Sequence, residues 1–288
     1  MPSRIRACVM TDAPRRHLRF SAVAIVSCAW VVFAVLACVL GPLALHLSST
    51  ATDVAHSYAS PDARHWLGTD GLGRDEVARL LVGGRITLSV GAVAALVAML
   101  LGTLYGAVAG YYGGFVDNVL MRVVDVFLSV PTLFLLLFLA AMFHGNLTTL
   151  MLVIGITSWL GPARLVRGEV LTLKERLYVE AAKSVGANDG RIIFRHIVPN
   201  AAGTIITTTT FMIASAMLAE TALSYLGIGV RAPMPSWGNL LSSAQSDIFA
   251  GAYWLILPPG LAILTTVCAF NFLGDWLRDR QETRVSGA

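Results

Sequence analysis

Hydrophobic residues in this chain fall into long blocks, not into alternating or short amphipathic patterns. No charged residue occurs from Phe20 to Leu45, Ile86 to Val116, Val126 to Ala163 or Ala252 to Gly274. From Ala201 to Leu226 the one charge is Glu220. A helix of about 20 apolar residues crosses the ~30 Å hydrocarbon core of a bilayer. The block from 126 to 163 is too long for one crossing, and His144, Gly145 and Asn146 divide it. The pattern predicts an all-α membrane protein with six spans, at about 20–43, 86–112, 119–143, 147–163, 201–225 and 252–273. They make one membrane domain, 20–275, between an N-terminal segment 1–19 and a tail 276–288. Tyr111, Tyr112 and the glycines after them mark a helix end with interfacial aromatics and a turn.

The polar segments between the blocks set the orientation. Six crossings put both termini on one side. With that side inward, sixteen of the 21 lysines and arginines lie inside, and Arg64, Arg74, Arg79, Arg85 and Arg231 lie outside. Cytoplasmic loops carry the excess of cations, so both termini and the segment 164–200 are expected in the cytoplasm. Two outer stretches remain, 45–85 and 227–251. In the first, Asp75 is expected to cap a short amphipathic helix with Val77, Leu80 and Leu81 on one face. In the second, the prolines and glycine of "RAPMPSWGN" forbid a long helix. Both read as docking collars or caps.

Composition supports a lipid-facing chain. The 288 residues are 56% hydrophobic and 13% charged, with a mean hydropathy of +0.71, against about a quarter charged for a soluble domain. The net charge of +4 is accounted for by the inner loops, so no nucleic-acid partner is expected. Cys8, Cys28, Cys38 and Cys268 show no metal or disulfide spacing. The apolar run after Arg15, Arg16 and Arg19 exceeds the ~7–15 residues of a secretion-signal core and reads as a retained span. G-x-x-x-x-G-K-[ST], G-x-S-x-G and H-E-x-x-H are all missing from the sequence. His46, His56 and His65 fit no metal spacing and read as solvated loop residues. Catalysis by this chain is not expected.

Within the spans, Gly102, Gly106 and Gly110 recur every fourth residue. They clear one helix face for a close neighbour, with packing favoured over a pathway role. Arg122 and Asp125 are spaced to pair with each other on one helix. Glu220 is an intramembrane acid, hence a functional-site candidate, with an interfacial or loop-paired acid as the alternative. Thr207–Thr210 either line an aqueous path or bond back to their own carbonyls. Thr207, Thr210, Met217 and Glu220 are the candidate pathway residues.

Between the fourth and fifth spans the chain leaves the membrane. Val166, Val170, Leu173, Leu177 and Ala181 form a helical stripe, Gly186 ends that helix, Asn188 or Asp189 caps the next, and Pro199 stops it. The expected product is a two-helix elbow with a smooth corner at Glu180, Ala181, Ala182 and Gly186, rimmed by Lys183. A rigid lever pushed by another protein has these features.

The stretch "EAAKSVGANDGRIIFRHIVPN" resembles the cytoplasmic EAA loop of ATP-binding-cassette (ABC) importer permeases: Glu-Ala-Ala, a glycine four residues on, then Ile-x-Pro. Val198 stands where the pattern often has Leu. "HWLGTDGLGRD", "GGFVDNVLMRVVD" and "AETALSYLGIGVRAPMPSWGNLL" are similar to the C-type permeases of dipeptide, oligopeptide and nickel importers. The resemblance runs from about His65 to Leu273. It implies a type I importer permease in the bacterial inner membrane, heterodimeric with a B-type permease. One fused or two separate ATPases would hold ATP and Mg2+, this chain holding none. An extracytoplasmic solute-binding protein would deliver the substrate. Glu180, Ala181, Ala182, Lys183, Gly186, Arg195 and Pro199 are then the ATPase-coupling residues. Asp70, Arg74, Asp75, Arg231 and Trp237 are the binding-protein docking candidates. Peptides are the favoured substrates, with nickel or another small solute as alternatives within the family. An ion-coupled carrier using Glu220 is the alternative of a different class, and an intramembrane protease a weaker one.

Overall fold

The computed structural model describes residues 22–44, 48–143 and 146–285. The N-terminal segment 1–19 with its five arginines, His46, the His144–Gly145 break and the last three residues of the tail lie outside the described residues. Among the described residues there is no strand, only one isolated bridge between Thr69 and Asp75. Within the described residues twelve α-helices follow one another: α1 (Ala22–Ala44), α2 (Glu76–Tyr112), α3 (Gly114–Leu128), α4 (Thr132–Met142), α5 (Leu147–Ser158), α6 (Leu160–Leu173), α7 (Leu177–Ser184), α8 (Asp189–Arg191), α9 (Val198–Asn200), α10 (Ala202–Tyr225), α11 (Trp237–Asp247) and α12 (Leu257–Val285). Among the described residues four single helices are long and apolar enough to cross a membrane. The bent pairs α3–α4 and α5–α6 bring the number to six if each is one span.

Prolines decide where the pairs bend. Pro131 disfavours the α conformation at Val130, and α3 and α4 meet at 79° across residues 129–131. Pro162 cannot donate to the Ser158 carbonyl and its ring crowds it; α5 ends at Ser158, and α6 departs at 45°. The predicted third and fourth spans are thus broken, and the fourth runs without a loop into the elbow.

Helix α2 is the centre of the bundle, packing against α1, α3, α5, α6, α10 and α11. Most of its buried positions are small, among them Gly83, Gly84, Gly91, Ala94, Ala95, Ala98, Gly102, Gly106 and Ala107. Where lipid removes the hydrophobic drive between helices, close backbone approach supplies the packing. Gly102, Gly106 and Gly110 form the seam against α6, as the packing reading expected. A Cβ on Gly102 would stand 2.6 Å from Pro162 Cβ, and one on Gly110 would stand 2.9 Å from the Arg167 carbonyl oxygen.

Two expected boundaries are corrected. Asp75 does cap a helix, accepting from Ala78 N at 2.9 Å, but that helix is α2 itself, continuous to Tyr112. Its first turns bury Glu76, Ala78 and Arg79, not the Val77–Leu80–Leu81 face. At the other end of the chain, α12 runs on to Val285, so most of the predicted tail continues the last span as helix. Gln281 Nε2 donates to the Gly203 carbonyl and to Thr207 Oγ1, both at 2.6 Å, tying this extension to the start of α10.

Candidate functional site

The elbow is built from α6 to α9. Residues 174–176 leave the helix after α6, and Arg176 is extended. This interruption rotates the helical phase, so the expected single stripe does not continue. Val166 and Val170 are fully buried on α6, whereas Leu177 is 82% exposed and Ala181 is exposed. Val179 and Ala182 instead root α7 in a cluster with Tyr111, Ile192, Ile193 and Ile197. Ala182, placed at the outer corner by the sequence, therefore points inward at 9% exposure. The outward surface carries Leu177, Tyr178, Glu180, Ala181, Lys183, Val185 and Gly186. Val185, 85% exposed, and Leu177 were missed because the stripe is read as unbroken through residues 174–176.

Gly186 ends α7 as expected. Its φ is +78°, a conformation glycine adopts without a Cβ penalty. The Ala187 N–H reaches back to the Ala182 carbonyl at 3.1 Å and the Gly186 N–H to Lys183 at 3.0 Å, a helix-closing pattern. Asn188 caps the next turn, accepting from Arg191 N at 2.8 Å. Asp189 accepts from the Tyr111 hydroxyl at 2.7 Å, and Lys183 Nζ stands 5.4 Å from the Tyr111 ring centre. The end of α2 is thereby pinned to both halves of the elbow.

Pro199 does not stop the second helix. A π turn over Ile192–Ile197 precedes it, with the Val198 N–H bonded to the Ile193 carbonyl. The wider turn brings Ile192, Ile193 and Ile197 inward and leaves Arg195 and Pro199 exposed. After one non-helical residue, Ala201, the chain continues as α10. Such π segments recur at functional sites.

The elbow is also clasped to α3. Arg167 pairs with Asp117 through both Nε and Nη2, and Arg164 pairs with Asp125. The expected Arg122–Asp125 pair is thus replaced by a partner 39 positions away. Lys174 Nζ donates to the Gly110 carbonyl at 2.9 Å.

The remaining candidates lie elsewhere in the bundle. Glu220 is fully buried and accepts from Thr87 Oγ1 at 2.8 Å and Ser224 Oγ at 2.6 Å. Thr87 Oγ1 accepts from Trp237 N at 3.2 Å, and Ser224 Oγ from Val230 N at 2.9 Å. The acid is the hub of a knot holding the loop between α10 and α11 onto α2. Met217 is fully buried against Gly91. Thr208, Thr209 and Thr210 donate to carbonyls four residues back, at 2.7, 2.7 and 3.0 Å.

At the same end, Asp70 is buried and takes Arg74 and Arg79 together with the N–H groups of Leu72 and Arg74. Burial pushes its pKa up, but Arg74, the two N–H groups and Arg79 outweigh that and hold it below the ordinary carboxylate value. Arg74 is spent on this pair, and Asp75 on its cap and on His65 Nδ1 at 2.8 Å. His65 is therefore half-buried, not freely solvated. Trp237, 2% exposed, donates from Nε1 to the Leu80 carbonyl at 2.9 Å. Four of the five docking candidates thus build the collar, and only Arg231 stays exposed.

Residues 102–287 match the family described as binding-protein-dependent transport system inner membrane component. The chain is 37% identical to the dipeptide transport system permease protein DppC of Bacillus subtilis over 270 residues, covering 94% of this chain and 84% of that protein. It is 40% identical to the oligopeptide transport system permease protein OppC of Escherichia coli over 270 residues, 93% and 89% of the two chains. With the glutathione transport system permease protein GsiD of Pectobacterium atrosepticum it shares 41% over 225 residues, 78% and 74%. A helical membrane bundle with a projecting elbow, matched over this extent, belongs to the family of binding-protein-dependent transport system inner membrane components.

Proposed function

We propose that the chain is the C-type permease subunit of an ABC importer for short peptides, in the bacterial inner membrane, with the elbow and both termini cytoplasmic. It pairs with a related B-type permease to enclose one pathway. ATP and Mg2+ are held by one fused or two separate ATPases, and a solute-binding protein delivers peptide to the collar around Arg231. The chain's own contribution is mechanical: an ATPase cleft receives the outward face of α7, and closure on ATP moves the elbow and the spans attached to it.

The observation that carries this reading is the construction of α7. Val179 and Ala182 root it, Gly186 ends it, and Leu177, Tyr178, Glu180, Ala181 and Val185 project from it. Small and apolar groups at a projecting corner enter a groove with little loss of rotamer freedom. The cation excess of the elbow side supports a cytoplasmic placement. The relatives are described as dipeptide, oligopeptide and glutathione permeases, which favours short peptides over nickel.

The test is reconstitution of the chain with its partners and measurement of ATP-dependent peptide uptake. Glu180→Lys, Val185→Asp and Gly186→Phe are expected to abolish uptake while the chain still inserts. Normal uptake in all three, or gradient-driven uptake by the lone chain, refutes the coupling role.

A further inference from the structure

The ion pairs between α6 and α3 lie away from the outward face of α7, and what they imply rests on the function proposed above. Asp117, in the first turn of α3 and buried, receives Arg167 in a two-point pair. Asp125, two turns further along α3, receives Arg164. Arg164 and Arg167 lie about one turn apart on α6, so two acids of one helix clasp a single stretch of the other. The Tyr105 hydroxyl adds a bond from α2 to the Leu120 carbonyl of α3 at 3.0 Å. A two-point Arg–carboxylate pair fixes orientation as well as distance. Beyond Leu128 the situation changes. The chain breaks at residues 129–131, α4 turns away by 79°, and its main packing is on α5.

We propose that Asp117 and Asp125 are positioning residues of the coupling path. Through Arg167 and Arg164 they make α3 move as one body with the elbow. The break at 129–131 is then the hinge at which this motion becomes a displacement of α4. The far end of α4 shows what that displacement acts on. Ala140 and Phe143 line a cleft of about 60 Å³ together with the first turns of α5, from Asn146 to Val153, and with a second side made by Ile228–Arg231 and Met234. The second side is held in place by the Glu220 knot, through the bond from Val230 N to Ser224 Oγ. Movement at the hinge therefore opens or closes this cleft against a fixed wall.

The experiment uses the assembled transporter in liposomes and reads peptide imported per ATP hydrolysed. Asp117→Asn combined with Asp125→Asn is expected to leave ATPase association and hydrolysis in place. Import per ATP should fall about fivefold or more, the lower end of a typical coupling between sites. Asp117→Glu, which keeps the charge, is expected to restore most of the ratio. Spin labels on the otherwise unmutated chain give a second reading, one pair at Val119 and Leu165, another at Val123 and Phe138. Between nucleotide-free and ATP-trapped states the first separation should hold while the second changes. An unchanged import ratio in the double variant overturns the inference, as does a first separation that moves as much as the second. If the unmutated chain recruits no ATPase, the proposed function fails and this inference with it. If it does recruit and couple, the brace variants decide the inference alone.

Discussion

Gly106→Ala is the sharpest test of the α2–α6 seam. The added methyl would overlap the Ala163 carbonyl oxygen, and would stand 2.9 Å from Arg167 N and 3.1 Å from Val166 Cβ. The first two neighbours are backbone atoms, which cannot rotate away, so the helices must separate by about 1 Å in an interior packed like a crystal. Overpacking of this kind costs about 1–3 kcal/mol. Gly168 lies on α6 with nothing within 4 Å of a new Cβ, so Gly168→Ala should show only the helix-propensity gain, up to ~1 kcal/mol. Gly106→Ala takes the same propensity gain inside α2, so the two variants should differ by the overpacking cost, about 1–3 kcal/mol, roughly fivefold or more in the folded-to-unfolded ratio. The assay is unfolding of the purified chain in mixed micelles by sodium dodecyl sulfate, followed by tryptophan fluorescence, with Trp159 packed 4.6 Å from Tyr105 at the seam. A Gly106→Ala midpoint equal to or above that of Gly168→Ala would show that α2 and α6 do not rely on backbone contact.

Two other expectations follow from the opposite end of the bundle. Glu220→Leu strands the Thr87 and Ser224 hydroxyls at ~1–3 kcal/mol each, while Glu220→Gln keeps an acceptor and should unfold at a midpoint closer to the parent; equal losses would refute the knot. Asp70 has a lowered folded pKa, so its contribution is complete above the unfolded value of ~3.9 and disappears as pH falls through the folded one. Hydrogen exchange across residues 58–75 should therefore stay protected near neutrality and open only below pH ~4, and Asp70→Asn should abolish that dependence; a collar that opens near neutral pH in the parent contradicts this assignment.

Block-wise hydropathy made the helical membrane fold readable, because span length is set by the bilayer and not by neighbours. The breaks inside two spans were also written in the chain, at Pro131 and Pro162, yet the apolar signal around them masks a local backbone rule. At the elbow, Gly186 and Asn188 were legible because a helix end is a local event. The faces of α7 were not, since residues 174–176 reset the phase that a continuous stripe assumes. Arg164 as the partner of Asp125 lay beyond reach because helical spacing offers only near neighbours, and Arg122 at three residues was the nearest cation. The same limit hid the collar. Asp70, Arg74 and Trp237 carry the polar and aromatic character of a docking surface, and only the fold shows that they are turned inward on Arg79 and Leu80.

Helix α2 begins in the collar at Glu76 and ends on the elbow at Tyr112 without interruption. At 1.5 Å per residue it is about 56 Å long, nearly twice the ~30 Å hydrocarbon core. A single strut of that length leaves no slack between the two faces of the membrane. Under the proposed function, whatever engages the collar would weigh on the elbow by the same free energy with which the elbow's partner weighs on the collar, and arrival of cargo on one side would become a signal for fuel use on the other.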